Sequence, residues 1–223
     1  LVRHCRERED GSGEKAVSRR PERHQEAGLH VRSLVSLAES VGERIMSGGL
    51  VRSFVCIPLP EAVKRIVGDR AAAIRREHSG LKWVEKELYH ITLRFCGEHP
   101  LSVLEEFRKN AETALSGNRP GPVFLRLGQP GAFPGMKRAR TFFIGIEGET
   151  EKLARIAELI ESAAAAAGMG KENRSFHPHV TLARARQSEE IVPPSFQVER
   201  SGEWSAKNIL WMKSELRPSG PEY

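Results

Sequence analysis

The chain has 223 residues, of which 39% are hydrophobic and 29% charged, with a net charge of +6 and a pI near 9.5. These fractions are typical of globular proteins, and no apolar run approaches the roughly 20 residues of a membrane span, which excludes a membrane protein. Three widely spaced cysteines predict neither a disulfide framework nor a zinc site. No signal segment is recognisable, and we therefore expect a cytoplasmic protein. The basic charge favours an anionic partner such as nucleic acid, although solubility alone would explain it equally well.

Residues 1–45 differ in composition from the rest of the chain. The first aromatic residue is Phe54, and charged residues crowd the opening stretch. A segment without bulky apolar groups cannot offset the entropy of ordering, so we expect 1–45 to be disordered, with at most an amphipathic helix over 31–45. Met46 lies just before the first strand, which suggests that it is the natural start and that 1–45 are a non-native extension. The predicted domain then spans 46–223.

The first half of this domain, about 50–128, alternates strands with helices. The expected elements are a strand over 54–57, a helix over about 63–76, a strand over 90–95, a helix that begins at a capping box of Ser102 and Glu105, and a strand over 123–127. Residues 128–135 are rich in glycine and proline, so we expect a loop there that joins the first half to the second.

The second half, about 136–223, repeats the plan of the first. We expect a strand over 142–146, a helix capped by Thr150, and a strand over 179–184. Five residue pairs are each 89 positions apart: Phe54 and Phe143, Ile57 and Ile146, His90 and His179, Thr92 and Thr181, and Leu93 and Leu182. This pattern indicates an internal duplication. Two such copies usually pack about a pseudo-twofold axis, which brings equivalent residues together across a cleft.

The two His-x-Thr motifs carry the chemistry. A strand alternates its side chains, so His90, Thr92 and Arg94 should share one polar face, and His179 should share a face with Thr181. In-line cleavage of a phosphodiester needs a base for the attacking water and an acid for the leaving oxygen. Two imidazoles with pKa values near 6.5 can fill both roles, and the threonine hydroxyls can donate to phosphate oxygens. No metal or cofactor is required, so we expect EDTA to leave the rate unchanged.

A histidine on a strand is more often a structural hydrogen-bonding group than a catalyst. The shared spacing of the two motifs favours catalysis, because core packing alone gives no reason to duplicate a polar His-Thr pair. His177 and His179 form a His-x-His pair, but Pro178 and the lack of partnering carboxylates favour a supporting role for His177, or simple packing, over a metal site.

These motifs together resemble the two-histidine (2H) phosphoesterase superfamily, and most closely the RNA 2′,3′-cyclic phosphodiesterases, also called 2′-5′ RNA ligases. The resemblance covers about 50–223 and rests on four segments: Phe54-Val55-Cys56-Ile57-Pro58-Leu59-Pro60; Trp83-Val84 before His90-Ile91-Thr92-Leu93-Arg94-Phe95-Cys96-Gly97-Glu98; Phe176-His177-Pro178-His179-Val180-Thr181-Leu182-Ala183-Arg184; and Ser214-Glu215-Leu216. It implies a bilobal α+β fold in which two antiparallel sheets flank a central basic cleft with helices outside, and in which strands can exchange between lobes.

The resemblance also implies an activity, which is hydrolysis of a terminal 2′,3′-cyclic phosphate to a 2′-phosphate, with His90 as proton donor and His179 as acceptor. From the residues alone the two roles cannot be assigned. Arg184 would bind the phosphate, although strict alternation puts it on the face opposite His179, and a solvated arginine at a strand end is the alternative. Arg94 is a second candidate for the phosphate, and a surface ion pair is the alternative.

Three functions compete at this level. The first is hydrolysis of cyclic phosphates on RNA ends or cyclic nucleotides, without metal or membrane, by a protein that we expect to be a monomer. The second is 2′-5′ ligation of RNA, which uses the same residues in reverse. The third is a module that binds RNA ends or nucleotides without turnover, and the histidines present in both motifs argue against it.

Overall fold

Antiparallel strands make up most of the fold. The computed structural model describes residues 30–32, 49–172, 174–192, 202–217 and 220–222. Its strands are β1 (His30–Arg32), β2 (Leu50–Pro58), β3 (Leu81–Trp83), β4 (His90–Pro100), β5 (Val123–Phe133), β6 (Ala139–Gly148), β7 (His179–Glu189), β8 (Glu203–Ala206), β9 (Asn208–Lys213), β10 (Glu215–Arg217) and β11 (Gly220–Glu222). Its α-helices are α1 (Glu61–Arg75), α2 (Leu101–Asn118) and α3 (Thr150–Ala166). The predicted α+β class is therefore confirmed.

Nine strands form one hydrogen-bonded sheet in the order β1-β9-β2-β4-β7-β6-β5-β8, with β3 paired to β7. Its neighbouring strands run antiparallel except β1 and β9, and β10 and β11 form a separate ribbon. In place of two separate sheets, the strands of both halves join into this one sheet where Ile91 of β4 pairs with Val180 of β7. The motif strands are thus neighbours.

The helices bury their apolar sides in the same core as one face of the sheet. Buried residues recur every three or four positions, as expected for amphipathic helices; on α1 they are Val63, Val67, Ala71 and Ile74, and on α3 they include Leu153, Ile156, Ile160 and Ala164. Ile57, Ile91, Ile144 and Val180 are fully buried strand residues of that core. Functional side chains must therefore project from the other face of the sheet.

The helix starts depart from the predicted caps. Helix α2 begins at Leu101 after Pro100, and no side chain caps it, so the capping box at Ser102 and Glu105 is wrong. Proline suits this place because its fixed φ and missing N–H cost nothing at a helix start. Helix α3 begins at Thr150 itself after Glu149, again without a side-chain cap.

The predicted loop over 128–135 is wrong, because β5 continues through it to Phe133. Pro130 pairs with Ile144 after a register shift, where its missing N–H does not break the ladder. A Cβ on Gly131 would lie 2.5 Å from Cζ of Phe143, so a larger residue there would have to displace that ring. Pro130 and Gly131 are therefore part of a strand and not of a loop.

Both ends of the chain contribute to the sheet. The prediction of disorder over 1–45 does not hold for His30–Arg32, which pair in parallel with β9, and the rest of that segment lies outside the described residues, as does most of the possible helix over 31–45. Strand β9 in turn pairs with β2 of the first half, and β5 of the first half pairs with β6 of the second. Among the described residues, no helix is long and apolar enough to cross a membrane.

Candidate active site

The two His-x-Thr motifs meet at the centre of the sheet. Ile91 and Val180 are equivalent by the 89-residue spacing, pair directly with each other, and are fully buried on the helix side. Their neighbours along each strand therefore project from the opposite face. Continued by one residue in each direction, the antiparallel register sets His90 across from Thr181 and His179 across from Thr92. Directly opposed residues have Cβ atoms about 5 Å apart, so we expect the four side chains to share one small patch.

Each imidazole is held by a main-chain carbonyl two residues earlier. Nδ1 of His90 lies 2.7 Å from the carbonyl oxygen of Leu88, and Nδ1 of His179 lies 2.6 Å from that of His177. Because a carbonyl only accepts hydrogen bonds, Nδ1 carries the proton in both rings. In the neutral imidazole, Nε2 is then the nitrogen that can accept a proton from a substrate or water.

Aromatic rings flank both histidines. The ring of Phe54 stacks on His90 with centroids 4.8 Å apart. Phe133 and Phe143 contact His179 with centroid distances of 5.2 and 5.0 Å. These contacts restrict the rotation of the two imidazoles and shield one side of each from water.

The pKa values of both histidines are lowered. Burial is the largest cause for each, and the carbonyl hydrogen bonds of Leu88 and His177 oppose it. The positive charge of Arg184 lowers the pKa of both rings further, and His179 also lowers the pKa of His90. Arg184 and the two imidazoles therefore lie close enough to interact electrostatically.

A register shift removes Arg94 from the patch, so the prediction that it shares a face with His90 is wrong. Val55 pairs with Arg94 and Cys56 with Thr92, which leaves Leu93 as an extra residue. Leu93 and Arg94 are both buried, as at a β-bulge. On the helix side, the Arg94 guanidinium donates to the carbonyl oxygen of Gly170 at 2.6 Å and forms an ion pair with Glu161 of α3.

The same irregularity in β7 brings Arg184 to the patch. Phe142 pairs with Ala183 and Phe143 with Thr181, so Leu182 is the extra residue, and Leu182 and Ala183 are both buried. Strict alternation predicts Arg184 on the wrong face, whereas the bulge turns it to the face of His179. There its guanidinium donates to the Thr141 hydroxyl at 3.3 Å.

Phe95 lies on the same face of the sheet as the patch, whereas strict alternation predicts it on the face opposite His90. It stands five residues after His90, as Arg184 stands five after His179. The bulge turns it outward, where it is 44% exposed, and the Arg52 guanidinium lies 4.5 Å from its ring centroid. An exposed aromatic ring on this face is suited to stacking on a nucleobase. The shared spacing from each histidine was the signal available in the sequence.

His177 supports its neighbour through the main chain, by the carbonyl that accepts from His179. The side chain of His177 takes no part in this bond, so a supporting or packing role for its imidazole stays a prediction. Within the described part of the chain, no group of three or more His, Cys, Asp or Glu residues stands together as metal ligands.

Comparisons with known proteins agree on one family. The model of the 2′-5′ RNA ligase superfamily matches residues 60–208. A Methanocaldococcus jannaschii protein named RNA 2′,3′-cyclic phosphodiesterase is 30% identical over 178 residues, which is 78% of this chain and 96% of that protein. A Thermus thermophilus protein of the same name is 31% identical, over 78% of this chain and 86% of that one. A crystal structure of a Thermus thermophilus protein superposes with a TM-score of 0.63 at 28% identity, covering 77% of this chain and 93% of that one.

Proposed function

This chain belongs to the 2′-5′ RNA ligase superfamily, and on that premise we propose that it is an RNA 2′,3′-cyclic phosphodiesterase that leaves a 2′-phosphate. The observation that carries this function is the pairing of Ile91 with Val180, which brings His90 and His179 together on one face of the sheet. Two proton-transfer groups around one phosphorus are what hydrolysis of a cyclic phosphate requires.

In the proposed reaction His179 takes a proton from water through Nε2 while the water oxygen attacks phosphorus. The bond from phosphorus to the 3′ oxygen breaks, and His90, protonated at Nε2, gives its proton to that oxygen. The phosphate stays on the 2′ oxygen. The carbonyl contacts at Nδ1 support this scheme because they orient both rings with Nε2 as the exchanging nitrogen. The assignment of His90 as the acid and His179 as the base follows the family resemblance.

Thr92, Thr181 and Arg184 are proposed to bind the non-bridging phosphate oxygens. The hydroxyls lie across from the two histidines, and Arg184 is near enough to both to lower their pKa values. A guanidinium can bind two phosphate oxygens at once and offsets the negative charge that develops there. Arg94, buried against Glu161, has no part in this scheme.

A duplicated, pseudo-twofold domain over 46–223 is the proposed basis of the site. The pairing of the equivalent residues Ile91 and Val180 supports a local twofold axis between the motif strands. Both motif strands bulge at the same place, at Leu93 and Leu182. The sheet order β9-β2-β4 and β7-β6-β5 supports two lobes that have exchanged their outer strands.

The pH dependence of the rate should reflect the lowered pKa values of both histidines. An optimum of kcat/KM lies between the pKa values of the acid and the base in the unbound enzyme. Burial and Arg184 lower both from about 6.5, so we expect the optimum below pH 6.5. A bound phosphodiester anion favours the imidazolium, so the kcat profile should lie at higher pH. Initial rates at constant ionic strength measure both, and a kcat/KM optimum above pH 7 would contradict the expectation.

The function itself is tested on an oligonucleotide with a 2′,3′-cyclic phosphate end. We expect a 2′-phosphate product, identified against 2′- and 3′-phosphate standards, and the same rate in EDTA. Adding an acceptor RNA with a 5′-hydroxyl distinguishes hydrolysis from 2′-5′ ligation. If ligation is the main activity, joined RNA will exceed the hydrolysed product. Tight binding of the oligonucleotide with no product from either reaction would indicate a binding module and overturn the proposal.

A further inference from the structure

A row of exposed basic side chains leads away from the histidines along β7. Lys82 of β3 pairs directly with Arg184, so the two side chains stand side by side on the same face of the sheet. The residues that flank Lys82 point the other way, since Leu81 is buried and Trp83 packs edge-on against Phe142. Lys82 therefore faces the cleft.

Arg186 extends this row. It follows Arg184 by two residues and is exposed, so it lies on the same face about 7 Å further along the strand. Its neighbour position on β3 is next to Leu81, at Gly80. We name Lys82, Arg184 and Arg186 the basic strip. Its far end is bounded by Glu189, whose carboxylate lies beside Gly80.

The basic strip is not neutralised by the protein. Elsewhere on the surface, basic residues such as Arg108, Arg126 and Lys213 form ion pairs with nearby glutamates. Within the described ranges, no carboxylate forms an ion pair with any of the three strip residues. The hydrogen bond of Arg184 goes to the neutral hydroxyl of Thr141. With the Glu189 carboxylate near its Arg186 end, at Gly80, the strip still has a net positive charge that can attract an anion.

The strip also makes the β4 and β7 sides of the site chemically different. By the 89-residue spacing, Arg184 corresponds to Phe95 and Arg186 to Gly97 of β4. One side of the pseudo-twofold therefore presents an exposed ring with the Arg52 guanidinium over it, and the other presents a row of three positive charges. A terminal nucleotide held at the histidines can set its base toward Phe95, and the preceding backbone then runs over β7.

From this arrangement we infer that the basic strip binds phosphates on the 5′ side of the terminal nucleotide, so that the substrate is an RNA chain in preference to a free cyclic mononucleotide. The inference rests on the proposed hydrolysis of cyclic phosphates at the same site. It adds a binding subsite formed by Lys82 and Arg186 to the residues that contact the reacting phosphate.

The test compares a cyclic mononucleotide with a short single-stranded oligonucleotide that ends in a cyclic phosphate, over a series of salt concentrations. The oligonucleotide should have the higher kcat/KM at low salt, and its advantage should fall as salt rises, because phosphate binding releases counterions. The double variant Lys82→Gln/Arg186→Gln should reduce the slope of log kcat/KM against log salt by about 1.4, since each lost contact to a single strand removes about 0.7. The preference for the oligonucleotide should shrink with it.

The matched control is Arg155→Gln on α3, which removes an exposed positive charge from the helix side of the sheet. It should preserve the parent slope and preference. The inference is overturned if the double variant keeps the parent slope, or if Arg155→Gln reduces it equally. Anisotropy of a labelled oligonucleotide with a 2′-phosphate end measures binding without turnover. If the parent enzyme hydrolyses neither substrate, the proposed function fails. Oligonucleotide binding that weakens in the double variant but not in Arg155→Gln would even then support phosphate binding by the strip.

Discussion

Replacing His90 or His179 by alanine should lower kcat for cyclic-phosphate hydrolysis by about a thousandfold, because each change removes one of the two proton transfers. Neither imidazole is part of the apolar core, and each hydrogen-bonds through Nδ1 to a carbonyl that can turn to water instead. The variants should therefore remain folded, as circular dichroism and thermal unfolding can show. Single-turnover rates on a cyclic-ended oligonucleotide give the loss.

His99→Ala is the control for this result. His99 lies on the same strand as His90, near its far end, where it pairs with Val51. Its loss removes an imidazole without touching the motif patch, so the rate should stay at the parent value. Parent activity in either His90→Ala or His179→Ala would refute the two-histidine mechanism, whichever of the two retained it.

Replacing Arg184 by alanine should lower kcat by about a hundredfold to a thousandfold, the range for loss of a group that stabilises developing charge. Arg184→Lys should recover only part of the rate, because an ammonium cannot bind two phosphate oxygens in one plane. KM should change less than kcat if the contact strengthens as the phosphorus bonds rearrange.

The same substitution should also move the pH profile. The charge of Arg184 lowers the pKa of both histidines, so its removal should raise both pKa values and shift both limbs of kcat/KM to higher pH. Arg94→Met is the matched control, because it removes a guanidinium on the helix side of the sheet. It should leave the limbs in place. An unshifted profile in Arg184→Ala would mean that the guanidinium does not act on the imidazoles.

The face of the sheet on which the motif side chains lie could be predicted, because strand side chains alternate with a period of two residues. Period-two alternation set His90 beside Thr92, and the repeat set His179 beside Thr181. The bulges could not be read in the same way. Nothing in Leu93-Arg94 or Leu182-Ala183 signals an extra residue, and one such residue reverses the face of everything after it. Arg94 and Arg184 were therefore assigned to opposite faces from those they occupy.

The 89-residue spacing between the two halves applies to only some of their strands. The spacing of 89 applies to the motif strands, but Ile57 lies opposite Ile91, whereas Ile144 and not Ile146 lies opposite Val180. The strands before the two motifs thus correspond with a spacing of 87. Matching hydrophobic residues between the two halves cannot detect a register shift of two residues, because such a shift leaves each side chain on the same face of the sheet.

The strands of the C-terminal region were missed for a different reason. β8 and β9 are short, and β8 lies at an edge of the sheet. Their pairing with β5 and β2 depends on contacts far apart in the chain, which local composition does not encode.

The carbonyls of residues 88 and 177 have a consequence for mutation. One belongs to a leucine and the other to a histidine, yet both accept the same bond from the ring that follows. Any amino acid that keeps the local peptide geometry supplies that oxygen. The tautomers of the two acid-base groups are accordingly insensitive to the identity of the side chains at 88 and 177. The pKa of His179 is not, because the charge of His177 lowers it.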